Sequence, residues 1–280
     1  MTYIQTNTVP RDFDVSWAEF KARVGDLIAR GQPMFCRGHC DDAWTLRTTF
    51  HRWSARTGMT LAHYLDVVIP EVYRDILPQL PFPIAPPSRT VSEPLLTLLA
   101  VLQHHGFPTP LLDWTWSPYI AAYFAFRDVK HDGHSSDHVR VILFDIRTWT
   151  QAFAQPVELT SATPFVSMVR PFALGNPRVV AQQAIFTLTN VDDMETHIRR
   201  GEPQQGGLGF LYSFRLSVKE RTIAMRDLQA MGITEASLFP GLDGLCRGLA
   251  DAWMKGEVGA TANERVRRFI DQASSQRSKP

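Results

Sequence analysis

Gln103-His104-His105-Gly106-Phe107-Pro108-Thr109-Pro110-Leu111-Leu112-Asp113-Trp114-Thr115-Trp116-Ser117-Pro118 runs directly into Tyr119-Ile120-Ala121-Ala122-Tyr123-Phe124-Ala125. Hydrogen-bonding side chains alternate here with residues that fix the backbone. Proline locks φ and glycine frees it, so Gly106-Phe107-Pro108-Thr109-Pro110 reads as one defined loop. Ser117-Pro118 reads as a helix start: serine can accept from a free N–H, and proline sits where its missing N–H costs nothing. Ile120, Ala121, Phe124 and Ala125 then fall at helical spacing, with alanines that permit close packing. The expectation is a helix, a rigid polar loop and a second helix, with Asp113, Trp114 and Thr115 just before the second helix. A loop held this firmly can position side chains for binding or catalysis.

Upstream, Ser16 with Glu19 predicts a capped helix to about Arg30, with Trp17, Phe20, Val24, Leu27 and Ile28 as its apolar stripe. Pro33-Met34-Phe35-Cys36-Arg37-Gly38 reads as a short buried strand ending on arginine and glycine. A buried arginine is expensive without an acidic partner or an anionic ligand. Arg37 therefore reads either as one half of an internal ion pair or as an anion clamp. Trp44 to Arg52 adds Arg47, His51 and Arg52 near it, and residues 59–77 read as helical with a break at Pro70. Ser92-Glu93-Pro94 starts the helix that leads to the central loop.

Downstream, residues 139–146, 165–169 and 209–218 read as strands, and 147–154 and 219–231 as helices. Asn176 to Thr187 carries Gln182 and Gln183, whose amides can orient a ligand but cannot act as strong bases. His131, His134 and His138 lie in a polar turn that reads as a solvated loop. No metal site is expected. The three cysteines are too few and badly spaced for a disulfide framework, which makes a reducing cytoplasm the expectation. A net charge of +1 implies no strong pull toward nucleic acid, and no apolar run is long enough to span a bilayer.

The central run resembles the signature of the FRG domain family, Q-H-x-G-x-P-T-x-L-L-D-W-T followed by S/N-P and A-x-x-F-A. The family's aromatic-Arg-Gly element is spelled Phe35-Cys36-Arg37-Gly38 here, with Cys36 interposed. Gln182-Gln183-Ala184-Ile185-Phe186 resembles a later Gln-x-G-x-F element, with Ala184 in the glycine position, and residues 233–244 resemble a C-terminal one leading into a closing helix. These motifs span roughly residues 33–250. The implied organisation is an N-terminal helical lead-in (1–31), an FRG-like domain (32–270) and a polar tail (271–280). The expected fold is a single α+β domain with a central, mostly antiparallel sheet and surrounding helices.

The order of these elements is also similar to that of ADP-ribosyltransferases of the Arg-Ser-Glu type. That similarity implies that Arg37 and Gly38 anchor NAD, that Thr115 and Ser117 form the hydroxyl motif, and that Gln182 stands for the glutamate. Asp113 would supply the carboxylate that Gln182 lacks, and His104 joins the site, since the next family position is more often aromatic. Asp113 otherwise reads as a brace for the loop or a partner of Arg37. The functional expectation is NAD handling, by nicotinamide–ribose cleavage or by ADP-ribosyl transfer to a protein or nucleic-acid acceptor. The alternative is a binding module for a nucleotide-like small molecule. A carboxylate, Asp113 or Glu158, reaching the pocket separates the two.

Overall fold

A computed structural model describes residues 12–88, 92–129, 136–202 and 209–250. Among these described residues seven strands form one sheet in the order β1-β7-β4-β2-β3-β6-β5. They are β1 (Asp12–Asp14), β2 (Phe35–His39), β3 (Leu111–Thr115), β4 (His138–Phe144), β5 (Val166–Val169), β6 (Ala184–Thr189) and β7 (Leu211–Ser217). All neighbours pair antiparallel except β1, which lies parallel to β7. The helices are α1 (Trp17–Ala29), α2 (Thr49–Thr57), α3 (Leu61–His63), α4 (Ile69–Ile76), α5 (Glu93–His104) and α6 (Pro118–Arg127), then α7 (Ile146–Ala152), α8 (Pro177–Ala181), α9 (Met194–Arg200), α10 (Arg221–Ala230), α11 (Glu235–Leu238) and α12 (Leu242–Ala250). The architecture is the expected single-sheet α+β fold.

Alternation along the strands assigns the two faces. Cys36, Val141, Leu143 and Phe214 point toward α1, α6 and α10, meeting Trp17, Phe20, Ala121 and Leu228. Phe35, Trp114, Ile142 and Phe144 point the other way, under Trp149 of α7 and Met194 of α9. A third cluster joins α5 and the α4 region to β6 through Leu98, Leu99, Tyr64 and Leu188. The lead-in belongs to this framework: β1 extends the sheet, and α1 is capped as expected, with Ser16 accepting from the Glu19 N–H and Glu19 accepting from the Ser16 N–H.

Two expectations are corrected. Leu111 to Thr115 is not the tail of a loop but a fully paired strand, matched residue for residue with β6. Pro70 does not break its helix. The chain widens into a π-helical stretch, Tyr64–Val68, with the Ile69 N–H donating to the Tyr64 carbonyl, and so enters α4 with the proline in its first turn. His131, His134, the end of the closing helix beyond 250 and the tail at 271–280 lie outside the described residues.

α6 crosses β2 at Gly38. A Cβ there would stand 1.9 Å from the Ala121 carbonyl oxygen and 2.6 Å from the Ala125 nitrogen, both backbone atoms that cannot swing aside. Gly25, inside α1, has nothing within 4 Å of the same position. Gly38→Ala is therefore expected to cost about 3 kcal/mol or more by overpacking, and Gly25→Ala to stabilise by about 0.5–1 kcal/mol through helix propensity. Thermal melts of the two variants check the contrast.

Candidate functional site

β2 and β3 are joined at one register position only, Cys36 with Thr115. Beyond it the strands part, although β3 stays paired with β6 and β2 with β4. The parting opens a cleft of about 320 Å³ in the middle of the sheet, lined from both faces. Arg37 enters it from the face of Phe35, and its Nη1 donates to the Asp113 carbonyl at 2.6 Å. That carbonyl would have served the missing part of the ladder, so the guanidinium replaces a strand hydrogen bond.

Arg37 is held from behind. Its Nε donates to His39 Nε2 at 3.1 Å, and His39 Nδ1 lies 3.1 Å from the Trp44 carbonyl. Only one tautomer serves both bonds: Nδ1 carries the proton and donates, and Nε2 accepts. His39 must then stay neutral, and burial beside Arg37 and Arg140 pushes its pKa down to about 3. Both acceptors of Arg37 are uncharged, and burial lowers its own pKa while the Asp113 carboxylate partly offsets this. Arg52 adds to the positive potential at Arg37. By contrast, Arg140 is neutralised by Glu195, and Arg47 pairs with Asp192. The internal ion pair that would have made Arg37 purely structural belongs to Arg140.

Asp113 lies opposite, on the α6 face of β3. Its side chain opens to the cleft while protein surrounds it, and burial raises its pKa above the ordinary carboxylate range against the lowering effects of Arg37 and Gln103. Gln103 donates to this carboxylate because its own oxygen is taken by the Thr109 hydroxyl. Thr109 is pinned in turn: its N–H donates to Thr49 Oγ1 at 3.0 Å, and its carbonyl accepts from the Phe50 N–H at 3.1 Å. The Gly106–Pro110 loop thus acts as a brace, with Gly106 at φ 87° making its turn.

The remaining expected residues divide. Gly38 and Thr115 line the cleft; Gly38 is fixed by the contact with α6, and the Thr115 hydroxyl accepts from the Ser117 N–H at 3.1 Å. Ser117 lies outside the lining: its hydroxyl caps α6 by accepting from the Ile120 N–H, and α6 presents its flank at Ala121 and Phe124 to the cleft, not its N-terminus. Gln182 lines the cleft and is anchored by donating to the Leu238 carbonyl at 3.0 Å. Gln183, at φ 48°, faces a separate hollow beside Trp116. His104 lines an adjoining lobe of about 270 Å³ that shares Asp113, Phe124, Gln182 and Ala184 with the first. Glu158 lines neither lobe. Sequence reasoning missed His39, Gln103 and Trp44. The alternation Phe35, Arg37, His39 could have found the first had the strand been extended by one residue.

Residues 32–134 match the model of the FRG domain family. The chain carries an FRG domain. The matched segment covers a little over a third of the chain and runs from β2 through α6, so the FRG domain supplies Arg37, His39, Gln103, Asp113 and Thr115. Gln182, held by the Leu238 carbonyl of α11, enters the cleft from beyond it. No curated protein and no solved structure matches the chain. No helix among the described residues is long and apolar enough to cross a membrane, and no group of three or more metal-ligating side chains occurs among them.

The neutral state of His39 makes the stability of the fold depend on pH. Its folded pKa is about 3 against an ordinary 6.5, so the unfolded chain binds the extra proton between those values. Stability is complete above about pH 6.5 and falls as pH drops toward 3. His51, lowered to about 4, acts in the same direction. Denaturant midpoints measured from pH 7 to pH 4 should decline, and His39→Gln should decline less steeply over the same range.

Proposed function

We propose that the cleft binds the phosphates of an NAD-like dinucleotide through Arg37 and that the protein cleaves the nicotinamide–ribose bond or transfers ADP-ribose. The carrying observation is the Arg37 guanidinium, bonded to uncharged acceptors and held rigid by His39 across a split in the sheet, with the Asp113 carboxylate on the opposite wall. Fixed, forked, permanently charged donors suit a pyrophosphate. Trp44, 54% exposed at the cleft, and Phe124 offer ring faces for a planar base.

Asp113 is the carboxylate this chemistry needs. The bond between the ribose C1 and the nicotinamide nitrogen breaks, and its electron pair leaves with neutral nicotinamide. The cation-like ribose is stabilised by ionised Asp113. A water or acceptor oxygen then bonds to C1, and its proton passes to the carboxylate. Gln182, anchored on Leu238, orients a hydroxyl by hydrogen bonding.

The alternative, a non-catalytic nucleotide-binding module, is favoured by one observation: the residue standing in the glutamate position, Gln182, is an amide. Incubation of the pure protein with NAD, following binding and nicotinamide release, separates the two. Release is expected from the wild type. Arg37→Ala should abolish binding while the melting temperature shifts by a few degrees at most; global unfolding of this variant would assign Arg37 a structural role.

Asp113→Asn should lower release by about 100-fold or more with binding retained, and its melting temperature should hold or rise because a partly desolvated charge is removed. Since ionised Asp113 is the active form and its pKa is raised, release should climb with pH through a value above the ordinary carboxylate range and then level off. Binding without release would establish the module.

A further inference from the structure

The lobe adjoining the Arg37 cleft has a cation of its own. Phe239, next to α11, is approached by three guanidinium groups: Arg127 at 5.1 Å, Arg178 at 5.2 Å and Arg247 at 5.4 Å from the ring centroid. Gathering three like charges on one ring is unfavourable unless anions offset them. Two are offset. Arg127 meets Asp128 at 2.9 Å and Glu235 at 3.8 Å, and Arg247 meets Glu235 at 2.9 Å. Glu235 is buried and also accepts from the Tyr123 hydroxyl, so its oxygens are committed.

Arg178 is different. Among the described residues its guanidinium has no hydrogen-bond acceptor and no carboxylate partner; its bonds are made by the backbone, the N–H to Asn176 and the carbonyl from the Gln182 N–H. It is half-buried and lines the lobe with His104, Gln103, Asp113 and Gln182. Its charge is felt there, for it helps to lower the pKa of His104 after the larger effect of burial. His104 is thereby kept neutral, a hydrogen-bonding group and not a competing cation. The shared residues make the two lobes, about 320 and 270 Å³, one two-lobed cleft, together within the roughly 300–1,000 Å³ range of small-molecule sites.

We propose that the second lobe is a phosphate subsite in which Arg178 and His104 hold a phosphate monoester, so that the cleft takes two anionic groups, one at Arg37 and one at Arg178. The pairing with Arg37 rests on the nucleotide reading above; the Arg178 subsite stands on its own geometry. The monoester comes either from the same dinucleotide or from a separate acceptor molecule, and a cationic acceptor is disfavoured in both cases.

Isothermal titration of the full chain with NAD, NADP and inorganic phosphate tests this. Wild-type protein is expected either to bind NADP about tenfold more tightly than NAD, the worth of one charge-assisted pair, or to bind inorganic phosphate while saturated with NAD. The first result places both phosphates on one ligand, and the second places the monoester on an acceptor. Arg178→Gln should erase whichever is seen, and Arg178→Lys, which keeps the charge without the fork, should retain part of it.

If neither dinucleotide binds, the nucleotide reading fails and the subsite is still measured. Inorganic phosphate should bind Arg37→Gln and should lose that binding in the Arg37→Gln, Arg178→Gln double variant. Unchanged affinities for all three probes in Arg178→Gln, or no binding of phosphate to Arg37→Gln when both dinucleotides also fail, would overturn the proposal.

Discussion

Cys36 and Thr115 form the one rung between β2 and β3, and the site depends on the ladder stopping there. A continued ladder would consume the Asp113 carbonyl and close the middle of the sheet. Instead, Gly38 seats β2 against the α6 backbone, and the Arg37 guanidinium takes the freed carbonyl. Backbone groups stay satisfied while the strands separate. The result is a cleft with rigid strands on both sides, a setting in which donors keep their positions without a ligand present.

Charge is distributed unevenly around this opening. The sheet can neutralise a buried arginine where it needs to: Arg140, the register partner of His39, is clamped by Glu195 and Ser213. Arg37 receives only uncharged acceptors, and Asp113 is held by Gln103 with its ionisation made harder by burial. Keeping two ionisable groups poorly compensated on facing walls destabilises the empty protein, and such arrangements concentrate at functional sites. His39 supports this state by remaining neutral, which lets it accept from Arg37 at the distance of an ordinary hydrogen bond.

Much of this was legible in the chain. The α+β class followed from the alternating and helical runs, and the Ser16–Glu19 box and the Gly106 turn appeared where local chemistry placed them. Arg37, Asp113 and Gln182 line one cleft because the middle of β2, the middle of β3 and the turn before β6 converge there. Leu111 to Thr115 was misread since prolines before it and a helix start after it mask a five-residue strand whose two polar side chains, Asp113 and Thr115, both line the cleft. Ser117 was placed beside Thr115 by the transferase similarity, but its hydroxyl caps α6, whose N-terminus does not face the opening; facing is set by packing and not by spacing. The exchange of bonds among Thr109, Gln103 and Asp113 spans loop, helix and strand, and no local pattern signals it.

The most direct measurement is a crystal structure of the protein with ADP-ribose. The account predicts phosphate oxygens within hydrogen-bond distance of the Arg37 guanidinium between β2 and β3, with the ribose toward Asp113. Ligand bound away from this split, or a cleft left empty at saturating ADP-ribose with Arg37 still held only by His39 and the Asp113 carbonyl, would contradict it.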